Sequence, residues 1–143
     1  IAHNLGISKR RFNKIIIKAY KINFDFNKEL LNIALDLKKQ GYKIGILSDQ
    51  WHFSKRALMP EKYTKHFSPV IVSCDVGLRK PDPKIYKLAL SESKSKPSQT
   101  IFIDNQKWNT YTAEKLGITS ILFKDNKQLI NDLKKLGISL TNY

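Results

Sequence analysis

The sequence contains a single cysteine, Cys74, which excludes an intrachain disulfide and any multi-cysteine zinc site and fits a reducing compartment. A cytoplasmic location is expected on that ground. No apolar run approaches the roughly 20 residues that a membrane-spanning helix needs, so no membrane partner is expected. No basic region with an apolar segment and small-residue cleavage site opens the chain, which begins at Ile1 and not Met; no targeting peptide is read, and a missing N-terminal piece is expected. Arginine is scarce as well: four Arg stand beside 22 Lys, while 12 acidic residues leave a net charge of +14. Readers of nucleic acid depend on arginine for bidentate contacts to bases and phosphates. The lysines come with 17 Ile and 10 Asn, the residues that A/T-rich codons favour. The charge is therefore read as a composition effect, with nucleic-acid binding at most weak and non-specific; a basic nucleic-acid-binding protein on an inactive α/β scaffold is the competing reading.

What is present is enough for one domain with a core, because 143 residues bury roughly 68–70% of the surface of the unfolded chain. Ser8 to about Tyr20 reads as a helix with Phe12, Ile15, Ile16 and Ala19 on one face, followed by a loop over 22–26. Asn27 caps a second helix whose stripe is Leu30, Leu31, Ala34 and Leu37, and Gly41 stops it. Four short apolar runs follow: Tyr42 to Leu47, Val70 to Val72, Ile101 to Ile103, and Ser120 to Phe123. Helical segments lie between them, one opened by Asp82-Pro83, one over Asn109 to Leu116, and a last over Asn126 to Leu136; Ser91 to Ser98 reads as a polar loop. Strands alternating with helices predict a parallel, Rossmann-like α/β sheet, with the two N-terminal helices outside the rhythm.

Ligands of open α/β sheets bind beyond the carboxyl ends of the strands, so the polar residues after each run are the candidates. Ser48-Asp49 follows the first, a loop ending in Lys80 follows the second, and Asp104-Asn105 follows the third. A hydroxyl, an ammonium and a carboxylate are what phosphoryl transfer asks for: a donor to a phosphate oxygen, a cation for spread negative charge, and a hard oxygen ligand for Mg²⁺. Asn109 is read as a helix N-cap that also suits a supporting role at a metal. Trp51 and Cys74 are read as packing residues, and His3, His52 and His66 show no metal-ligand spacing. The segment Leu5-Gly6-Ile7-Ser8 with Lys9, Arg10 and Arg11 suits either the turn of a helix-turn-helix or a turn in a helical cap.

The ordered stretches Gly41-Tyr42-Lys43-Ile44-Gly45-Ile46-Leu47-Ser48, Val76-Gly77-Leu78-Arg79-Lys80-Pro81-Asp82-Pro83-Lys84-Ile85-Tyr86 and Ile101-Phe102-Ile103-Asp104-Asn105 closely resemble the haloacid dehalogenase-like (HAD) hydrolase superfamily, in its branch with an early helical cap. The resemblance covers Asn27 to Ile138. It implies a Mg²⁺-dependent phosphatase of small phosphorylated metabolites acting through an aspartyl-phosphate. It makes Ser48 and Asp49 part of the phosphate-binding motif, Lys80 the phosphate-site lysine, and Asp104 with Asn105 the metal-binding pair. Residues 1–26 then form the end of the cap and 27–143 the α/β core. The family's Asp-x-Asp nucleophile strand does not occur in these residues, and Asp25, which follows a helix and has Asn27 two residues on, does not qualify. The chain alone is therefore expected to be an inactive fragment, with the absent strand placed between those ending at Leu47 and Ile103. Asn105 stands where the family often has a second aspartate, which lowers the charge offered to Mg²⁺. Nothing in the sequence bears on oligomeric state.

Overall fold

The computed structural model describes residues 6–141 and 143, so His3 and the first part of the helix-turn-helix-like segment lie outside the described residues. Ser8 caps α1 (Lys9–Asn23), its Oγ accepting the Arg11 N–H at 3.3 Å. The helix runs past the expected end because Asn23 Nδ2 closes the last turn on the Ala19 carbonyl at 2.8 Å. None of its residues is buried, and it lies against α3 (His52–Leu58). Asn27 caps α2 (Lys28–Lys39), accepting the Leu30 N–H at 2.9 Å.

Two parallel strand pairs follow. β1 (Ile46–Ser48) pairs with β2 (Val70–Val72), Leu47 opposite Ile71; β3 (Ile101–Asp104) pairs with β4 (Thr119–Leu122), Ile103 opposite Ile121. β1 is shorter than the expected run from Tyr42 because Pro69 lacks the N–H that the ladder needs. Ser68 supplies it instead, bonding the Ile44 carbonyl at 2.8 Å, and regular pairing starts only at Ile46. The remaining elements are α4 (Glu61–Thr64), α5 (Ser73–Val76), α6 (Pro83–Ser93), a 3₁₀ turn at Pro97–Gln99, α7 (Lys107–Lys115) and α8 (Asn126–Lys135). α6 thus extends into the stretch expected to be a loop. Asp82 caps it through the Lys84 N–H at 2.9 Å, and Asp125 caps α8 through the Gln128 N–H at 2.8 Å.

Two cores form. Ile33 of α2 and Leu129 and Leu133 of α8 pack with Ile121, Ile138 and Leu140; Ile85 and Tyr86 of α6 pack with Ile71, Ala113 of α7 and Ile118. Ile101 joins the first core and its neighbour Phe102 the second, so the two lie on opposite faces of the strands, as the alternation of side chains along a strand requires. The chain is therefore a parallel α/β structure covered on both faces, as expected.

The two pairs do not join into one sheet. Between β1 and β3 lies a cleft of about 570 Å³ lined by Ile46, Leu47, Phe102 and Ile103, with Leu37 of α2 and Leu90 of α6 from the helical layers. Burial is inverted relative to an ordinary parallel sheet, in which the central strands are the most enclosed. Ile71, Val72 and Ile121 of the outer strands are buried, whereas no residue of β1 or β3 is, and Ile103 is 36% exposed.

Candidate functional site

The carboxyl ends of β1, β2 and β3 come together on one side of the molecule. α5 ends at Gly77, whose φ of 68° turns the chain toward Lys80 in a conformation that side chains disfavour. The Asp49 carboxylate after β1 accepts the Lys80 backbone N–H at 3.1 Å and fixes this loop against the strand end. That carboxylate is acceptor-only, so its side chain offers phosphate no donor. The lysine is 8% exposed. Its Nζ donates to the Leu47 carbonyl at 2.9 Å and to Asp104 Oδ2 at 2.6 Å, and sits 5.5 Å from the Phe102 ring centre. A single ammonium thus bridges the carboxyl ends of β1 and β3.

Asp104 Oδ1 accepts the Gln106 N–H at 2.8 Å and Asn109 Nδ2 at 3.1 Å. Asn109 is not the expected N-cap: that position falls at Gln106, three residues earlier and without a side-chain capping bond, so Asn109 lies inside the first turn of α7, buried and facing Asp104. Its Oδ1 is buried without a hydrogen-bond partner among the described residues. Tyr86 Oη donates to the Asn109 carbonyl at 3.0 Å, and burial, reinforced by the charges of Asp104 and Asp49, pushes its phenol up, so it acts as a fixed donor. Ser48 Oγ accepts Gln50 Nε2 at 3.3 Å, directly after the carbonyl that Lys80 holds. Asn105 is exposed beside Asp104, and Asp25 is exposed in the α1–α2 linker, following a helix and not a strand.

The donor set fits part of a Mg²⁺ site. Asp104 supplies a hard anionic oxygen, the Asn105 amide can add a neutral one, and the unpartnered Asn109 oxygen lies next to them. A second anionic ligand is wanting among these residues, and Lys80 takes up the position a cation would neutralise.

Two aromatic residues stand at the same end. Trp51 does not pack as expected but is 73% exposed, and Trp108, which the sequence reading passed over, is 60% exposed. Each lies a few residues beyond a strand's carboxyl end, the placement that could have marked both. Cys74 is likewise no core filler: it is half-exposed at the start of α5, with His52 and Asp75 beside it.

The family model of the haloacid dehalogenase-like hydrolases matches residues 3–123. Among curated proteins, bifunctional epoxide hydrolase 2 of Sus scrofa is 34% identical over 138 residues, covering 92% of this chain but 24% of that protein. A glyceraldehyde 3-phosphate phosphatase of Pyrococcus furiosus is 33% identical over 106 residues, 70% of this chain and 42% of its own length. The chain spans only part of these relatives, about a quarter in the epoxide hydrolases. Among solved structures, a HAD phosphatase of Thermococcus onnurineus shares the fold with a TM-score of 0.73 at 19% identity, over 98% of this chain and 86% of that one. A HAD family enzyme of Bacteroides thetaiotaomicron, in complex with magnesium and inorganic phosphate, has a TM-score of 0.63 at 24% identity, over 74% and 58%. No helix among the described residues is long and apolar enough to cross a membrane. By the extent of the family match, this chain belongs to the haloacid dehalogenase-like hydrolases.

Proposed function

We propose that the chain is part of a Mg²⁺-dependent phosphatase of small phosphorylated metabolites, completed by an apolar strand seated between β1 and β3 and ending in Asp-x-Asp. The observation that carries this reading is the Lys80 bridge from the Leu47 carbonyl to Asp104, a buried cation linking the carboxyl ends of the two strands that flank an apolar cleft. The first aspartate of the seated strand attacks phosphorus, the bond to the leaving oxygen breaks as the second aspartate protonates it, and water then hydrolyses the aspartyl-phosphate. Ser48 donates to a phosphoryl oxygen and Lys80 balances charge on the phosphoryl group and the nucleophile. Asp104 and Asn105 hold Mg²⁺, which when bound adds positive charge at the transferring group. Asp49 serves the phosphate site by holding the Lys80 loop, and Asn109 holds Asp104 in place. Residues 1–26 are the end of a cap and 27–143 the core, supported by the lack of buried residues on α1. The phosphate named for the Pyrococcus relative and the ligands of the Bacteroides structure support the substrate class and the metal.

The test compares the 143-residue chain with the same chain fused behind a cap and a strand ending in Asp-x-Asp, measuring Mg²⁺-dependent phosphate release from an aryl phosphate. Release by the longer form alone is expected. Equal release by both forms, or none from a well-folded longer form, overturns the reading.

A further inference from the structure

The loops after β1 and β2 are locked together by a reciprocal contact: Ser73 Oγ accepts the Gln50 N–H at 2.9 Å and donates to the Gln50 carbonyl at 3.1 Å. His52 lies two residues beyond the first partner, and Cys74 and Asp75 directly follow the second. The lock therefore fixes an imidazole, a thiol and a carboxylate from two different loops in one place. Their ligating atoms all lie within 4.8 Å of one another. Asp75 Oδ1 is 3.7 Å from Cys74 Sγ, while Oδ2 is held by Lys55 Nζ at 2.5 Å.

We propose that His52, Cys74 and Asp75 form a binding site for a borderline divalent transition metal, with Zn²⁺ as the ion that fits first. Thiolate and imidazole donors select such ions, while Mg²⁺ and Ca²⁺ prefer oxygen alone. Around tetrahedral zinc, bonds of about 2.3 Å to sulfur and about 2.0 Å to nitrogen place ligand atoms about 3.5 Å apart. The cluster reaches that spacing by side-chain adjustment of about 1 Å, which exposed His52 and half-exposed Cys74 permit. Three protein ligands leave the fourth position to water, and binding releases the thiol proton to solvent. Lys55 opposes the ion. Its side chain is 37% exposed, so it can swing into solvent as the metal takes over Asp75.

This site shares no residue with Lys80 and Asp104 and does not depend on the phosphatase reading. The test titrates the 143-residue chain with Co²⁺ as a spectroscopic probe for Zn²⁺, with folding of each variant checked by circular dichroism. A thiolate-to-cobalt charge-transfer band saturating at one equivalent, displaced by Zn²⁺ and untouched by excess Mg²⁺, is expected. Cys74→Ser abolishes the band, and exposed His52→Ala, whose folding is not at issue, weakens binding by about tenfold or more. Lys55→Gln tightens binding by about two- to fivefold, the span of an exposed ion pair. The absence of a charge-transfer band, a band surviving Cys74→Ser, or displacement by Mg²⁺ would overturn the proposal.

Discussion

At the carboxyl end of the cleft the Leu47 carbonyl receives Lys80 Nζ, and Asp104 receives the same ammonium together with Gln106 and Asn109. Further back along the same two strands, the edges face each other across apolar space. The difference follows from the alternation of the backbone. Ile46 donates to Pro69 on the β2 side, so the groups of Leu47 point the other way, into the cleft; the carbonyls of Thr100 and Asp104 accept from the β4 side, so Ile101 and Ile103 point into the cleft from β3. A side chain can satisfy one such carbonyl at the carboxyl end, but the N–H groups of Leu47, Ile101 and Ile103 need a strand, and none among the described residues bonds both edges. A carbonyl and a carboxylate paired with Lys80 at one end and unpaired edges behind them together describe a sheet with its centre open.

The sharpest way to break this comparison is to remove the cation. Lys80 and Asp104 are each 8% exposed at the side chain, so Lys80→Ala leaves a buried carboxylate uncompensated and is expected to cost about 3–5 kcal/mol of stability, read by chemical denaturation. In the strand-completed form it should also lower phosphate release by on the order of 10²–10³. The pair is structural as well as chemical, so the stabler test of role is Asp104→Asn, which keeps the shape and loses the charge. Near-normal turnover in that variant would remove Asp104 from the site.

Truncating the cleft wall separates the two states by a smaller amount. Leu47→Ala and Phe102→Ala are expected to cost about 1 kcal/mol in the 143-residue chain, where both side chains are half-exposed, and about 2–5 kcal/mol once a strand covers them. Equal costs in the two forms would mean that nothing packs on that wall.

The smallest effect lies on α2. Asp36 on α2 accepts from the Thr141 hydroxyl and, at 2.8 Å, from its N–H, and these bonds hold its carboxyl below the ordinary aspartate value. Because the folded value is depressed, this stabilisation is present above the ordinary value and is lost as pH falls through the folded one. Asp36→Asn should therefore flatten the acid limb of a plot of melting temperature against pH. An unchanged limb would show that the tie to Thr141 carries no stability.

Much of this was legible because each polar residue that follows an apolar run ends up at one face of the molecule. Ser48, Lys80 and Asp104 could be picked out by position alone, and Lys80 and Asp104 indeed touch. Asn109 differs from its reading as a cap because the cap position of α7 falls three residues earlier, at Gln106, which turns an expected cap into a buried partner of Asp104. The length of β1 depended on Pro69, a residue of the neighbouring strand, and so could not be read from β1 itself. The His52, Cys74 and Asp75 cluster was invisible for the same reason: it exists only once the ends of β1 and β2 lie side by side. Pairwise tertiary placement, not local pattern, decided each of these.

The most direct test of the open centre is amide hydrogen exchange of the 143-residue chain, resolved by residue. The account predicts that Leu47, Ile101 and Ile103, which face the cleft, exchange far faster than Ile46, which bonds across to Pro69, and that they become protected when a strand ending in Asp-x-Asp is fused ahead of the chain. Equal protection of the two sets in the 143-residue chain would show that the sheet is already closed there, and would contradict the account.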